Sequence, residues 1–386
     1  MTASTTGDGR SRIACHLRQR YLSQIPVIGK RKFLHCASLH GPTWKSDFMT
    51  RPGTRSTGRP TLEAVARLSG VSPITASRAL RGVTTVAPAL VARVQEAATR
   101  LGYVANPAAR ALASARSHSV VVLIPSLSNH LFIDTLEAIH DVLRPRGIEV
   151  LIGNYHYNEQ EEEKLIRNYL AYQPCGMLLT GVHQGEAIRR LLAVAGVPCV
   201  HMMELSNDDH AACVGFSQEQ AGAAAAEHLL NCGRRRLAYV AAQLDPRVVQ
   251  RANGFRNILC AAGVYDPALE MMSASPSSIA LGAELFRQLM ERHPDVDGAF
   301  FCNDDLAQGA LFEAQRLGVP IPERVSVVGF NDLPASAHMV PRLTSIRTPR
   351  ADVGRQAAFL LLDALDGKAP LTGHHDLGFE LIVRES

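Results

Sequence analysis

The chain is 386 residues long, 46% hydrophobic, and carries a formal net charge of +4. It is too long for one small domain and has apolar content for a sizeable core, and no run of about 18 apolar residues suits a membrane span. The charge is unevenly placed: residues 1–116 hold 18 Lys and Arg against four Asp and Glu, whereas 117–386 hold 22 against 32. The basic front suits a polyanion and the acidic remainder suits solubility. Ile25 to Ile28 is too short an apolar stretch for a signal peptide. The eight Cys are scattered without metal-ligand spacing, and Cys199, Cys213 and Cys302 sit in apolar runs, so they read as reduced thiols of a cytoplasmic protein.

In chain order, residues 1–58 read as a leader ending in a basic arm. Its first 48 residues are either a disordered tail or the product of an upstream start, the second being favoured because Met49 opens MTRPGTRSTGRP just before the first helix. Arg51, Arg55 and Arg59 can lie along a phosphate backbone. Residues 59–104 read as three helices. In TLEAVARLSGVSPITASRAL, Thr61 caps a first helix whose Leu62, Val65, Ala66 and Leu68 face inward, and Ser69-Gly70 ends it. Ser72 caps a second helix with Pro73 at its first position, exposing Thr75, Ser77 and Arg78 and packing Ala76, Ala79 and Leu80. A short polar helix held at a turn has the shape that enters a DNA major groove. Pro88 opens a third helix reaching Arg100, with Leu90, Val91, Val94, Ala97, Ala98 and Leu101 inward. Residues 105–119 read as a connector in which Asn106-Pro107 starts one or two marginal helical turns, ordered on docking or merely solvated.

From residue 120 to 386 strands alternate with helices. Strands are expected from Val120, at Ile148–Ile152, Gly176–Thr180, Val197–His201, Leu237–Ala241, near Leu269, at Gly298–Cys302 and at Val325–Gly329, with helices between them and Ala351 to Leu365 last. Such apolar strands indicate parallel sheets covered on both faces, and about 270 residues of them suggest two lobes with a cleft between. Ligands in these sheets sit at the strands' carboxyl ends. Polar residues recur there: Ser126, Asn129 and His130, then Thr180, Glu204, Arg247, Arg251, Asn303, Asp304, Asn331 and Asp332, with Phe132 as an apolar wall. The set suits a small polyhydroxylated molecule, and a buried Arg could hold a carboxylate. There is no HExxH, no GxSxG, no Walker loop and no dinucleotide fingerprint, so no catalytic residue, cofactor or metal is expected. Asp304 and Asp305 read as helix N-terminal carboxylates, and His374-His375 as a surface loop.

From residue 59 to about 384 the sequence resembles the lactose/galactose repressor family of transcription regulators. The motifs are TLEAVARLSGVSPITASRAL, RVQEAATRLGYVANPAARAL, FCNDDLAQGALF, and VSVVGFNDLP followed by PRLTSIRTP. The resemblance implies an all-α helix-turn-helix head and an α/β two-lobed core like periplasmic binding proteins. IPSLSNHLF, the VGFS stretch and the VVGFNDLP form are most similar to gluconate-utilisation repressors. Carried over residue by residue, Pro73 and Ile74 match the positions facing base edges, and Thr75, Ser77 and Arg78 match residues touching bases or backbone. Leu112 matches the hinge leucine that enters the minor groove. With Arg55, Arg59, Thr61, Ser72, Arg81 and Asn106 these form the expected DNA-facing set. Arg251, Asn303 and Asn331 match effector-binding positions and Phe132 a pocket aromatic; Ser126, Asn129 and Glu204 complete the expected effector set.

Departures from the family pattern are informative. Ala64 replaces an Asp and Ala87 a capping Ser, each weakening capping by about 1 kcal/mol. Arg81 replaces an Asn and can add a phosphate contact. Asn331 replaces the Asp common in sugar-binding relatives, which favours an acid ligand, while Glu204 opposes one unless it accepts hydroxyl groups. The expected protein is a cytoplasmic homodimer, or a tetramer, that represses from a near-palindromic operator under control of a sugar acid such as gluconate. The alternatives are a transport solute-binding protein, a regulator answering a neutral sugar, and an enzyme turning over the bound acid.

Overall fold

The computed structural model describes residues 60–104, 117–206, 208 and 211–386. Arg55, Arg59, Asn106 and Leu112 lie outside the described residues.

Three helices form the head: α1 (Leu62–Ser69), α2 (Pro73–Leu80) and α3 (Pro88–Leu101). The Thr61 hydroxyl accepts from the Ala64 N–H at 3.2 Å, and Gly70, in the left-handed region at φ 65°, closes α1. The Ser72 hydroxyl accepts from the Thr75 N–H at 3.1 Å with Pro73 behind it, so the second cap follows the first within two residues and fixes the corner. Ala87 makes no side-chain cap on α3, as the departure from Ser leads one to expect. The head core is small: Val65, Ala66, Ala76, Ala79, Val94, Ala97 and Ala98, flanked by Leu62, Val71, Leu80 and Tyr103. Leu68, expected inward, is instead 45% exposed. Ser69 takes the buried place, its hydroxyl donating to the Val65 carbonyl at 2.7 Å.

Two six-stranded sheets follow, each with helices on both faces. The first lobe contains β1 (Ser119–Ile124), β2 (Glu149–Asn154), β3 (Gly176–Thr180), β4 (Cys199–Met202) and β5 (Cys213–Gly215). Its helices are α4 (Leu131–Leu143), α5 (Glu159–Leu170) and α6 (Glu186–Ala195). The second lobe contains β6 (Leu237–Ala242), β7 (Glu270–Ser273), β8 (Gly298–Phe301), β9 (Ser326–Asn331) and β10 (Thr344–Arg347). Its helices are α7 (Gln218–Asn231), α8 (Pro246–Ala261), α9 (Ile279–Arg292) and α10 (Asp304–Leu317). The chain then returns: α11 (Arg350–Leu365) and β11 (His374–Asp376) join the first lobe, and β12 (Glu380–Ile382) joins the second. The strand orders are β11-β5-β4-β3-β1-β2 and β12-β10-β9-β8-β6-β7.

One expectation needs correcting: His374-His375 is not a surface loop but β11, paired in parallel with β5. Both sheets are parallel as expected, apart from the short edge strand β12, which runs antiparallel to β10. Strands β5, β10, β11 and β12 carry no long apolar run to signal them; they are three or four residues long, and the edge strands β11 and β12 read HHD and ELI. Helices α7 and α8 touch backbone to backbone: a Cβ at Gly222 would strike the Arg251 carbonyl, and one at Gly254 would strike that of Glu219. That closeness brings the start of α7 against the buried side of α8, where the site lies.

Candidate functional site

Two features of the fold present chemistry, and the first is the outer edge of α2. Ile74 is 66% exposed although apolar, Arg78 is exposed beside it, and exposed Arg81 donates through Nε to the Ser77 carbonyl at 3.3 Å. Thr75 and Ser77 are half-buried, and Pro73 has no donor to offer. The hydroxyls of Ser72 and Thr75 lie 2.9 Å apart, so both are engaged in the cap. The Thr61 hydroxyl is likewise held by α1. An apolar tip flanked by two guanidinium groups on a convex helix matches what a major groove accepts: a methyl contact plus bidentate donors.

The second is a cavity between the lobes. From the first lobe come Asn129, Leu131, Tyr157 and Met203; from the second come Gln243, Asp245, Arg247, Arg251, Ser277, Asn303 and Asn331. Gln218 stands where the chain enters α7, and Phe216 and Phe330 close one wall. Arg251, 7% exposed, stacks 4.1 Å from the Phe330 ring centre and donates through Nη1 to Gln218 Oε1, while its buried Nε has no acceptor. Gln218 in turn donates to the Met203 carbonyl at 2.9 Å, which tethers the Arg251 partner to the first lobe. Asn303 caps α10 through Oδ1 (3.0 Å from Leu306 N) and binds the Ser277 hydroxyl at 2.8 Å through Nδ2.

Asn331 ends β9 at φ 105° and Asp332 follows at φ 50°, both in the left-handed region that residues other than glycine seldom adopt. The strain is held from several sides. The Asn331 carbonyl accepts from Arg350 Nη1, Asp332 N donates to Ser345 Oγ at 3.1 Å, and Leu333 N donates to Asp304 Oδ2 at 2.6 Å. Arg350 also pairs with Asp134 of α4 at 2.9 Å within the first lobe, so its bond to the Asn331 carbonyl is the one that crosses to the second. Asp304 is therefore more than a helix N-terminal charge. It is fully buried, binds the hydroxyls of Ser336 and Ser345 at 2.8 and 2.7 Å, and burial pushes its pKa up to about 6.

Of the expected effector set, the cavity brings together Asn129, Arg251, Asn303 and Asn331. Three residues do not join them. Phe132 is buried in the first-lobe core beneath α4, one helical position away from Leu131, which lines the cavity. Ser126 spends its hydroxyl on Asn129 N at 3.1 Å, shaping the loop that presents Asn129. Glu204 faces a neighbouring cavity and is taken up by Val182 N, His183 Nε2 and Gln250 Nε2 at 3.3, 3.1 and 2.8 Å. Its objection to an acid ligand is thereby reduced. Sequence reasoning missed Tyr157, which a left-handed turn after β2 carries into the cleft (φ 56°), and Gln218, whose place at the start of α7 reads as an ordinary helix opening. Arg247 was recognisable only as a polar group beyond a strand end and was not matched to a family position.

Among the described residues, no group of three or more His, Cys, Asp or Glu could hold a metal, and no helix is long and apolar enough to cross a membrane. The free cysteines run from buried Cys213 and Cys302 to exposed Cys232 and Cys260.

Comparison with known proteins places this geometry. Residues 61–106 match the family of bacterial regulatory proteins, lacI family, and residues 226–386 match the periplasmic binding protein-like domain. An HTH-type transcriptional regulator GntR of Pseudomonas aeruginosa is 64% identical, over 86% of this chain and 97% of that one. Among solved structures, transcription regulator GntR from Chromobacterium violaceum is 46% identical with a TM-score of 0.68, over 69% of this chain and 98% of its own. A lacI-family regulator from Silicibacter pomeroyi is 33% identical with a TM-score of 0.80, over 85% and 99%.

Proposed function

Because the chain belongs to the lacI family of bacterial regulatory proteins, whose members are effector-controlled DNA-binding regulators and not enzymes, we propose that it is a repressor released or tightened by a sugar acid. Gluconate or a close phosphorylated or oxidised relative is the specific candidate. The carrying observation is the charge of the cavity wall: Arg247 and Arg251 against Asp245 alone, with amide, hydroxyl and phenol groups elsewhere. One guanidinium charge is left in excess, which a carboxylate neutralises and a neutral sugar does not. The amides of Asn129, Asn303 and Asn331 offer donors and acceptors to hydroxyl groups on such a chain. Asn331, standing where sugar-binding relatives commonly carry Asp, adds no repulsion.

On the DNA side, Ile74 reads an apolar base edge and Arg78 supplies the main polar base contact, while Arg81 and the arm residues Arg55 and Arg59 grip phosphates. Leu112, from a hinge formed by residues 105–119, enters the minor groove at the operator centre. Two copies related by a two-fold axis match a near-palindromic operator, and pairing of dimers would give a tetramer. The working site is the cytoplasm, where the operator is. An effector bound between the lobes alters operator affinity by favouring one lobe arrangement over another.

Fluorescence anisotropy on the DNA upstream of the chain's own gene, at fixed salt, tests this with a panel of sugar acids and neutral sugars. A shift confined to the acids is expected; a shift with neutral sugars only removes the acid reading. Arg78→Ala is expected to relax base preference, whereas Arg55→Ala weakens all sequences about equally, and matching profiles would reject that division of roles.

A further inference from the structure

We propose that Arg247, and not the more obvious Arg251, is the group that reads the ligand's negative charge, with Asp245 as an internal rival that it leaves when the ligand binds. This rests on the sugar-acid reading above and assigns the recognition step within it.

The two arginines lie one turn apart on α8 but are committed differently. Arg251 is stacked on Phe330 and bonded to Gln218, which is itself bonded to the Met203 carbonyl. Moving it would break a cation–π contact and a chain of hydrogen bonds, so it serves as a fixed wall. Arg247 is also buried, at 8% exposed, yet its side-chain bonds all go to Asp245: Nε to Oδ1 at 3.3 Å and Nη2 to Oδ2 at 3.2 Å. These are long for a charge-assisted pair, which usually closes to about 2.7–2.9 Å. Elsewhere in the same lobe Arg256 and Glu270 do close, to 2.7 and 2.8 Å.

Asp245 depends on Arg247 only in part. It caps α8, its Oδ1 accepting from Arg247 N at 2.9 Å and Val248 N at 3.2 Å, whereas Oδ2 accepts from Arg247 Nη2. When the pair parts, the α8 N–H groups go on holding Oδ1, and the favourable field of the helix N-terminus offsets part of what Oδ2 loses. Position supplies the rest. Arg247 lies on the boundary of two cavities, and the outer one is lined by Glu159, Glu162 and Glu204. A carboxylate approaching Arg247 meets Glu159 and the partly offset carboxyls of Glu162 and Glu204 on that side and amides of Asn303 and Asn331 on the inner side, so the inner approach is favoured. The arrangement selects charge and orients the acid in one step.

Isothermal titration of the full chain with gluconate and with gluconamide, its uncharged amide of nearly equal shape, tests the assignment. Arg247→Gln is expected to weaken gluconate about tenfold or more while changing gluconamide little. Asp245→Asn keeps the cap, removes the rival charge, and is expected to tighten gluconate several-fold with gluconamide unmoved. Equal losses for acid and amide in Arg247→Gln, or no gain for the acid in Asp245→Asn, overturn the proposal. The second variant carries the test alone if the first does not fold. A wild-type chain that binds no sugar acid at all sinks the effector reading itself, which is a different result from a wild-type chain that binds and variants that fail to discriminate.

Discussion

The head and the second lobe build their cores from different stock. The head packs alanines around Val65 and Val94. The second lobe packs rings: Phe300 lies 5.5 Å from Tyr239, 5.6 Å from Phe255 and 6.4 Å from Phe330, centre to centre. Small side chains let three short helices approach closely but bury little area, whereas each ring brings a large hydrophobic contribution and shape specificity. A head held by little suits a unit that firms on contact with DNA, and a receptor held by much suits one whose pocket must keep its geometry.

The sharpest way to break this contrast is Phe300→Ala, expected to cost the receptor about 3–5 kcal/mol. Its calorimetric transition should drop markedly and effector binding weaken, since Phe330 supports Arg251, while hydrogen exchange in the head stays unchanged. Glu162→Gln should move the receptor the other way. Glu162 is 5% exposed and burial pushes its pKa up to about 7, with Gln184 as a weak 3.4 Å partner. A carboxyl whose native pKa is raised favours the folded state fully below its unfolded pKa, and that contribution is lost as pH rises through about 7. The glutamine variant cannot ionise, so at pH 8 it should be more stable by on the order of 2 kcal/mol and at pH 4 about equal to wild type. A variant that is no more stable at pH 8 would show that the ionised carboxylate is well compensated.

Val65→Ala should cost the head about 2 kcal/mol and abolish its exchange protection without shifting the receptor's melting. A common shift in both regions would show that they unfold as one. The smallest change expected is a gain: Ala87→Ser restores the missing cap on α3 and should add about 1 kcal/mol to head protection alone.

The helical and long-strand skeleton was legible because its periodicities are local. Residues Leu131–Leu143 and Gly176–Thr180 have the same bounds in the sequence reading and in the structure. The short strands β5, β10, β11 and β12 were not legible, since three or four residues make no pattern until a neighbouring strand is in place. The site divides in the same way. Asn129, Asn303 and Asn331 stand at strand ends or helix starts, where topology says a ligand should lie, and Arg251 follows in the second turn of α8. Phe132 lies off the cavity because helix phase decides which of two adjacent apolar residues faces it, and Leu131 took that face. Glu204 faces the neighbouring cavity, engaged by His183 and Gln250 from distant segments, which no local pattern signals.

The backbone at Asn331 has a consequence for ligand choice. Its carbonyl is gripped by Arg350, the next amide is anchored to Ser345, and the strained φ leaves no neighbouring conformation to relax into. The amide side chain it presents is thus offered from a fixed height and bearing. If the proposed sugar acid meets that amide, epimers that differ at the facing carbon should bind unequally, which would make this strand end a stereochemical gauge.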